Sequence, residues 1–283
     1  MTNPDPGARG VVVGTIGASA DRPMPGAGVR RLHDLLPVLI RAPSVRLRFT
    51  VPDAGRRLAA DALGLDVLKA RVQEISFLDT PTLYLSSRGV LLRARRRTGG
   101  GVDSSVSCRH LGPGGVPAGI RADPGFRTDV TVLPEGFVCS VSVRAPVDGS
   151  RVRAARQGHA SARKLFSESQ LAFYDTICPG GPPMKELALL GSVHVLRQKV
   201  RLPELDRRLV AEHWFLPDGG RMLELSTRCT PVDAFTVAVA VKECLAGRGL
   251  ELVADQQRRR AVAHLSGALD PPRPSILAYG SGT

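Results

Sequence analysis

The sequence predicts an α+β fold built mainly from antiparallel strands. Three observations carry that reading: alternating apolar and polar stretches recur along the chain, turn-forming residues separate them, and only a few segments have helical spacing. With 283 residues and 43% hydrophobic content, the chain is long enough for one large domain or two small ones with a real core.

Residues 1–43 open with a Gly-, Pro- and Ala-rich arm without periodicity, and a short helix is expected over 29–41 near Pro37. Gly10, Gly14 and Gly17 do not form a dinucleotide fingerprint, because no clear helix and acidic partner follow. Alternation begins in SVRLRFTV (44–51), and residues 54–70 then carry apolar side chains at helical spacing. VQEISFLDT (72–80) reads as a strand, with Pro81 marking a turn. VLLRARRR (90–97) and SSVSCRHL (104–111) flank Gly99, Gly100 and Gly101 and read as a hairpin. FRTDVTVL (126–133) and GFVCSVSVRA (136–145) continue the strand text. A helical insertion over about 153–177 interrupts it. SVHVLRQKVRL (192–202) and RRLVAEHWFL (207–216) resume the strands, and Pro217-Asp218-Gly219-Gly220 turns the chain into RMLELSTR (221–228). Helices are expected over 231–250 and 254–265, and 266–283 reads as a disordered tail with three prolines.

Lys and Arg total 39 against 26 Asp and Glu, a net charge of +13, and 34 of those cations are arginine. This composition excludes a disordered acidic chain, a collagen and a coiled coil. GC-rich coding accounts for arginine over lysine but not for the excess over acids, so a polyanionic partner is expected. At 4% aromatic residues the chain is poor in stacking platforms, which disfavours nucleic acid. No apolar run of about 18 residues occurs, so no membrane partner is expected. The stretch Val11–Ala20 is too short and glycine-broken for a cleaved signal. Cys108, Cys139, Cys178, Cys229 and Cys244 lack paired spacing and read as reduced thiols, which points to the cytoplasm.

The cations fall in a pattern. Arg46 and Arg48, then Arg93, Arg95 and Arg97, then Arg197, Lys199 and Arg201 each recur at period two, which puts each set on one face of its strand. The opposite faces are largely apolar, with Val45, Leu47 and Phe49 on the first strand. A solvated face normally mixes both signs, since like charges on neighbouring strands repel. Three strands carrying cations in series are better explained by an anion bound between them. Arginine suits that task because its fork grips phosphate oxygens two at a time and stays charged.

These residues bring a family into view. The stretch ISFLDTPTLYLSSRGVLLRARRR resembles the CYTH domain, the fold of the triphosphate tunnel metalloenzymes. Phe77-Leu78-Asp79-Thr80-Pro81 matches its aromatic-x-Asp-Thr-Pro turn, and Gly89, Leu92, Arg93 and Arg95 match the glycine and L-R-x-R strand that follow. Arg109, Arg127 with Asp129, LRQKVR and Glu224 echo the later strands, so the resemblance covers about residues 44–265. It implies an eight-stranded antiparallel barrel with flanking helices and a tunnel lined by Arg, Lys and Glu. It further implies binding of triphosphates or polyphosphate with a divalent metal, and either hydrolysis or cyclisation of ATP.

The sequence departs from that pattern where the metal is held. The family's first strand reads Glu-x-Glu-x-Lys, whereas this chain has Ser44, Arg46 and Arg48 at those positions. Ser226 stands where a second acid is common, so Glu212, Glu224 and Asp129 are the metal-ligand candidates, and Glu212 and Glu224 the catalytic ones. Those are few carboxylates for a hard cation, and Mg²⁺ or Mn²⁺ is expected only if an altered site survives. The anion-binding candidates are Arg46, Arg48, Arg93, Arg95, Arg109, Arg127, Arg197, Lys199 and Arg201. Arg46 is expected to pair with Glu224 or Glu212 and to replace part of the ion's charge. Asp79 reads as a turn-stabilising residue, and Trp214 as either a tunnel wall or a core residue.

The leading expectation is therefore a protein binding a polyphosphorylated or other anionic small molecule, such as triphosphate, nucleotide or pyrophosphate, with metal-dependent hydrolysis weak, lost or redirected. An active triphosphatase or adenylate cyclase with altered metal ligands is one alternative. A noncatalytic polyanion-binding scaffold is the other.

Overall fold

A computed structural model describes residues 39–40, 42, 44–52, 55–132, 136–217 and 219–253. The expected N-terminal arm, most of the 29–41 helix, the 254–265 helix and the 266–283 tail lie outside the described residues.

Among the described residues nine strands form: β1 (Val45–Val51), β2 (Arg71–Asp79), β3 (Val90–Arg97), β4 (Val102–Arg109), β5 (Phe126–Val132), β6 (Phe137–Val147), β7 (Ala188–Arg201), β8 (Arg208–Phe215) and β9 (Arg221–Cys229). They close into a barrel in the order β1-β5-β6-β4-β3-β2-β7-β8-β9. The expected count of eight is corrected to nine, and the purely antiparallel arrangement is corrected with it. An odd number of strands cannot alternate direction all the way round a closed ring. The mismatch falls between β1 and β5, which run parallel, with Arg46 opposite Asp129. All nine strand-like stretches read from the sequence take part.

Among the described residues six helices pack around the barrel: α1 (Arg56–Ala62), α2 (Tyr84–Ser87), α3 (Ala118–Arg121), α4 (Gly149–Arg156), α5 (Glu168–Ile177) and α6 (Ala234–Gly247). The single helical insertion expected over 153–177 is two helices with a 3₁₀ turn, Ala162–Leu165, between them. Gly158, at φ 74°, stops the first helix, and Ser167 restarts the chain with a capping box to Gln170. No helix among the described residues is long and apolar enough to cross a membrane.

The apolar faces of the strands point outward into two cores. Val45, Leu47, Phe49 and Val51 of β1 are buried beneath Ala234, Val237, Ala238, Val241 and Leu245 of α6. On another wall Leu92, Val106, Val141 and Val143 pack with Leu171, Phe173 and Tyr174 of α5. Each such fully buried side chain contributes about 1.5–3 kcal/mol. Because the helices cover the outer faces, the alternate residues of every strand are left for the lumen.

Asp79 performs the turn role read from the sequence. Its Oδ1 accepts from the Thr80 and Leu85 amides at 2.7 and 2.9 Å, and its Oδ2 accepts from the Ser86 amide at 2.8 Å. One carboxylate thus ties the end of β2 to α2. Asp79→Ala leaves three amides without that acceptor and is expected to cost about 3 kcal/mol, measured as a lowered urea midpoint at unchanged slope. Gly89, which follows, has φ 74° and brings its backbone against Arg109, so a β-carbon there is strained.

Candidate functional site

The register assigns the lumen residue by residue. Across β1 and β9, Arg46 lies opposite Arg228, Arg48 opposite Ser226, and Thr50 opposite Glu224. Glu212 is opposite both Glu224 and Arg197, and Arg95 is opposite Asp103. Every sequence-predicted site residue therefore falls on the one face that the barrel turns inward.

At the centre, Arg48 bridges two acids. Its Nη1 donates to both carboxylate oxygens of Glu224 at 2.9 and 3.1 Å, and its Nη2 donates to Asp129 Oδ2 at 2.8 Å. All three side chains are buried, at 3%, 3% and 5% exposure, so the bridge is shielded from salt and water. Arg46 Nε stands 3.6 Å from Asp129 Oδ1, and Arg144 Nη2 stands 3.7 Å from its Oδ2. Burial alone would raise the Asp129 carboxyl, but the guanidiniums of Arg48, Arg46 and Arg144 outweigh it and hold the group far below the usual carboxylate range. Burial likewise works against the charge on Arg48, and Asp129, Glu224 and Glu212 more than restore it. The expected pairing of Arg46 with Glu224 or Glu212 is corrected: Arg48 takes Glu224, and Arg46 pairs with Asp129.

Above this bridge the barrel opens into a cavity of about 700 Å³. Eight arginines line it, namely Arg46, Arg95, Arg97, Arg127, Arg144, Arg197, Arg208 and Arg228, against the acids Asp103 and Glu212. Asp103 is held by Arg95 Nη2 at 2.8 Å and by Arg97, and Glu212 lies 3.4 Å from Arg197 Nε. Burial, with the charge of Arg46, pushes the Arg228 guanidinium below its usual value. Below the bridge a smaller chamber of about 70 Å³ is lined by Arg93 and Arg109 among others. Lys199 and Arg201 keep the inward register but are exposed and line neither space. The rest of the lumen is sealed by Trp214, which packs with Ile75, Phe77, Val193, Val195 and Met222. Trp214 is thus an inward-facing core residue rather than a wall of the open cavity.

Arg144, Asp103, Arg208 and Arg228 were missed by the sequence reading. The alternation of Ser140 and Ser142 with Cys139, Val141 and Val143 was the available signal for Arg144, since it continues the polar face.

The three metal-ligand candidates do not form a divalent-cation site. Arg48 engages both oxygens of Glu224 and Oδ2 of Asp129, and a cation at the remaining Asp129 Oδ1, which has no hydrogen-bond partner among the described residues, would sit beside the Arg46 guanidinium 3.6 Å away. Among the described residues no three His, Cys, Asp or Glu side chains gather in a metal-binding group.

No protein-family model matches the sequence, and no curated protein matches it. Solved structures do. A candidate adenylate cyclase of Bacillus halodurans superposes with a TM-score of 0.52 at 14% identity, over 77% of this chain and 97% of its own. A candidate adenylyl cyclase of Hippeastrum with a dominant triphosphatase activity gives 0.53 at 18% identity, over 76% and 94%. The barrel is the triphosphate-tunnel fold. In this chain an arginine bridge occupies the middle of the barrel and an apolar floor closes part of the lumen.

Proposed function

We propose that the protein binds a phosphate-rich small molecule in the 700 Å³ mouth without a divalent metal, and that metal-dependent hydrolysis is weak or lost. The observation that carries this is the Arg48 bridge, which ties up Asp129 and Glu224 with its own guanidinium. Eight arginines against two acids leave the mouth with charge that a polyanion neutralises. Without an ion to acidify water, that grip supplies no nucleophile at neutral pH. Of the acids read as catalytic candidates, Glu212 is the one that lines the mouth, and its pairing with Arg197 gives it a positioning role rather than a base's role.

The cavity also bears on which polyanion. Among the described residues none that lines it is aromatic, so a nucleobase finds no ring to stack on among them. Tripolyphosphate and pyrophosphate fit the lining as well as ATP does, because recognition rests on the phosphates. The similarity to a triphosphatase-active Hippeastrum protein favours the same ligand class. The interior location of the cations favours an enclosed small molecule over a flat polymer surface, and so over the scaffold reading.

Thermal shift tests this. Tripolyphosphate at about a hundred times its Kd is expected to raise Tm by about 5–10 °C, equally with EDTA and with Mn²⁺. Robust Mn²⁺-dependent release of phosphate from tripolyphosphate, or stabilisation that requires Mn²⁺, would instead establish an active enzyme with an altered ligand set.

A further inference from the structure

One stretch of the mouth's rim differs from the packed strands on either side. Between β3 and β4 the chain runs Thr98-Gly99-Gly100-Gly101, and all four residues are exposed. A β-carbon placed on Gly99 or Gly101 would meet nothing within 4 Å, and one on Gly100 would meet only Arg97 of the same hairpin, at 3.3 Å. Gly99 has φ 68°, in the left-handed region. The Thr98 amide donates to the Val72 carbonyl on β2 at 3.0 Å, which fixes the start of the loop. The Gly100 amide donates back to the Arg97 carbonyl at 3.1 Å. A solvent-exposed loop with no side chain to pack belongs to the parts of a fold that open most readily.

The ends of this loop belong to the mouth. Arg97, Gly101 and Val102 all line the 700 Å³ cavity. Across the base of the hairpin Arg97 bonds Asp103 Oδ2, but Arg95 already holds that carboxylate, from Nη2 to Oδ2 at 2.8 Å and from Nε to Oδ1 at 3.3 Å. Asp103 therefore stays paired without Arg97. Arg97 is also the freer of the two arginines, its side chain 38% exposed against 11% for Arg95. Burial, then the charge of Arg95, pushes the Arg97 guanidinium below its usual value. Half a share in one carboxylate is a poor counter-charge, and an anion entering the mouth offers a better one.

We propose that residues 98–101 form a lid over the mouth, latched open by the Arg97–Asp103 pair and drawn shut when Arg97 exchanges that carboxylate for a bound polyanion. The lid rests on the reading of the mouth as a polyphosphate site. A ligand shifts a conformational equilibrium only through contacts made in one state and not in the other, and Arg97 supplies that difference. Thr98 and Gly101, where the strands end, are the positions that absorb the backbone rotation. Closure leaves no buried acid unpaired, because Arg95 keeps Asp103.

Hydrogen–deuterium exchange of the full chain, with and without saturating tripolyphosphate in EDTA, tests the lid. The amides of residues 98–101 are expected to exchange about tenfold more slowly when tripolyphosphate is bound. Arg97→Gln is expected to abolish that protection, while tripolyphosphate still binds about tenfold more weakly. A second variant reads the motion by kinetics. Deleting Gly100 together with Thr98→Asn leaves a stiff two-residue Asn-Gly loop in the same strand register. In a chase with unlabelled ligand it is expected to release labelled tripolyphosphate about tenfold faster, with circular dichroism reporting its fold. Loop amides left unprotected at saturating tripolyphosphate, protection that survives Arg97→Gln, or an unchanged release rate in the folded, stiffened variant overturns the lid and leaves the mouth as a binding site. Failure of the wild type to bind tripolyphosphate at all sinks the reading of the mouth, and the lid with it.

Discussion

Arg48→Met is expected to lower the stability of the protein by about 3–5 kcal/mol, the largest effect of any single substitution in the lumen. The residue sits between Glu224 and Asp129 with three hydrogen bonds of 2.8–3.1 Å, and all three groups are out of water. Removing the guanidinium leaves two buried carboxylates facing one another, and Asp129 keeps only the longer contacts to Arg46 and Arg144. The loss would be read as a fall in the guanidinium chloride midpoint. The triple variant Arg48→Met, Asp129→Asn, Glu224→Gln should recover much of it, because the destabilisation comes from the uncompensated charges rather than from a lost net attraction. The wild type carries a pH signature of the same network. Asp129 has a folded-state pKa far below its unfolded value of about 3.9, so its contribution is complete above that pH and drains away as pH falls through the acid range. Asp129→Asn should therefore flatten the acid limb of the stability profile, and an unchanged limb would show that the carboxyl is not held by its neighbours.

Arg46→Met combined with Arg228→Met is expected to weaken tripolyphosphate binding by a hundredfold or more while leaving the fold intact. Each charge-assisted hydrogen bond to phosphate is worth about 1.5–3 kcal/mol, and both residues line the wide cavity from adjacent strands, directly opposite one another. Their removal also relieves a like-charge pair, so stability should move little, since Arg48 still neutralises Asp129. Binding measured against ionic strength adds a second readout. The salt slope should be shallower in the variant, because fewer counterion-like contacts are made. Equal affinities for the two proteins would place the ligand away from this mouth.

Much of this interior was legible in the sequence because strand parity is a rigid rule. Once Arg46, Arg48, Arg93, Arg95 and Arg197 were seen at period two, a closed sheet had to send them to one side. Asp79 was legible too, since an acid before Thr80-Pro81 has amides within local reach. What parity cannot supply is which strand stands next to which. Arg48 meets Asp129 only because β1 lies beside β5, 81 residues away, and it meets Glu224 only because β9 closes on the other side. The sequence pattern gave Arg46 and Arg48 the same face but could not assign their partners, and Arg46 was matched to the wrong acids for that reason. The break in the 153–177 helix was local and readable, with Gly158 and the Ser167–Gln170 box in plain view, yet overall helical composition masked it.

The parallel contact of β1 with β5 also has a consequence for how the polypeptide emerges during synthesis. β1, the first of the described strands, acquires one neighbour only after some eighty residues and the other only after about 180, when the last hairpin arrives. It exposes unsatisfied edges on both sides until β5 is made and on one side until β9 is made, a template for pairing with another chain. Such long-range closure implies slow maturation, and it makes the nascent protein dependent on dilution or chaperone cover until its final strand is available.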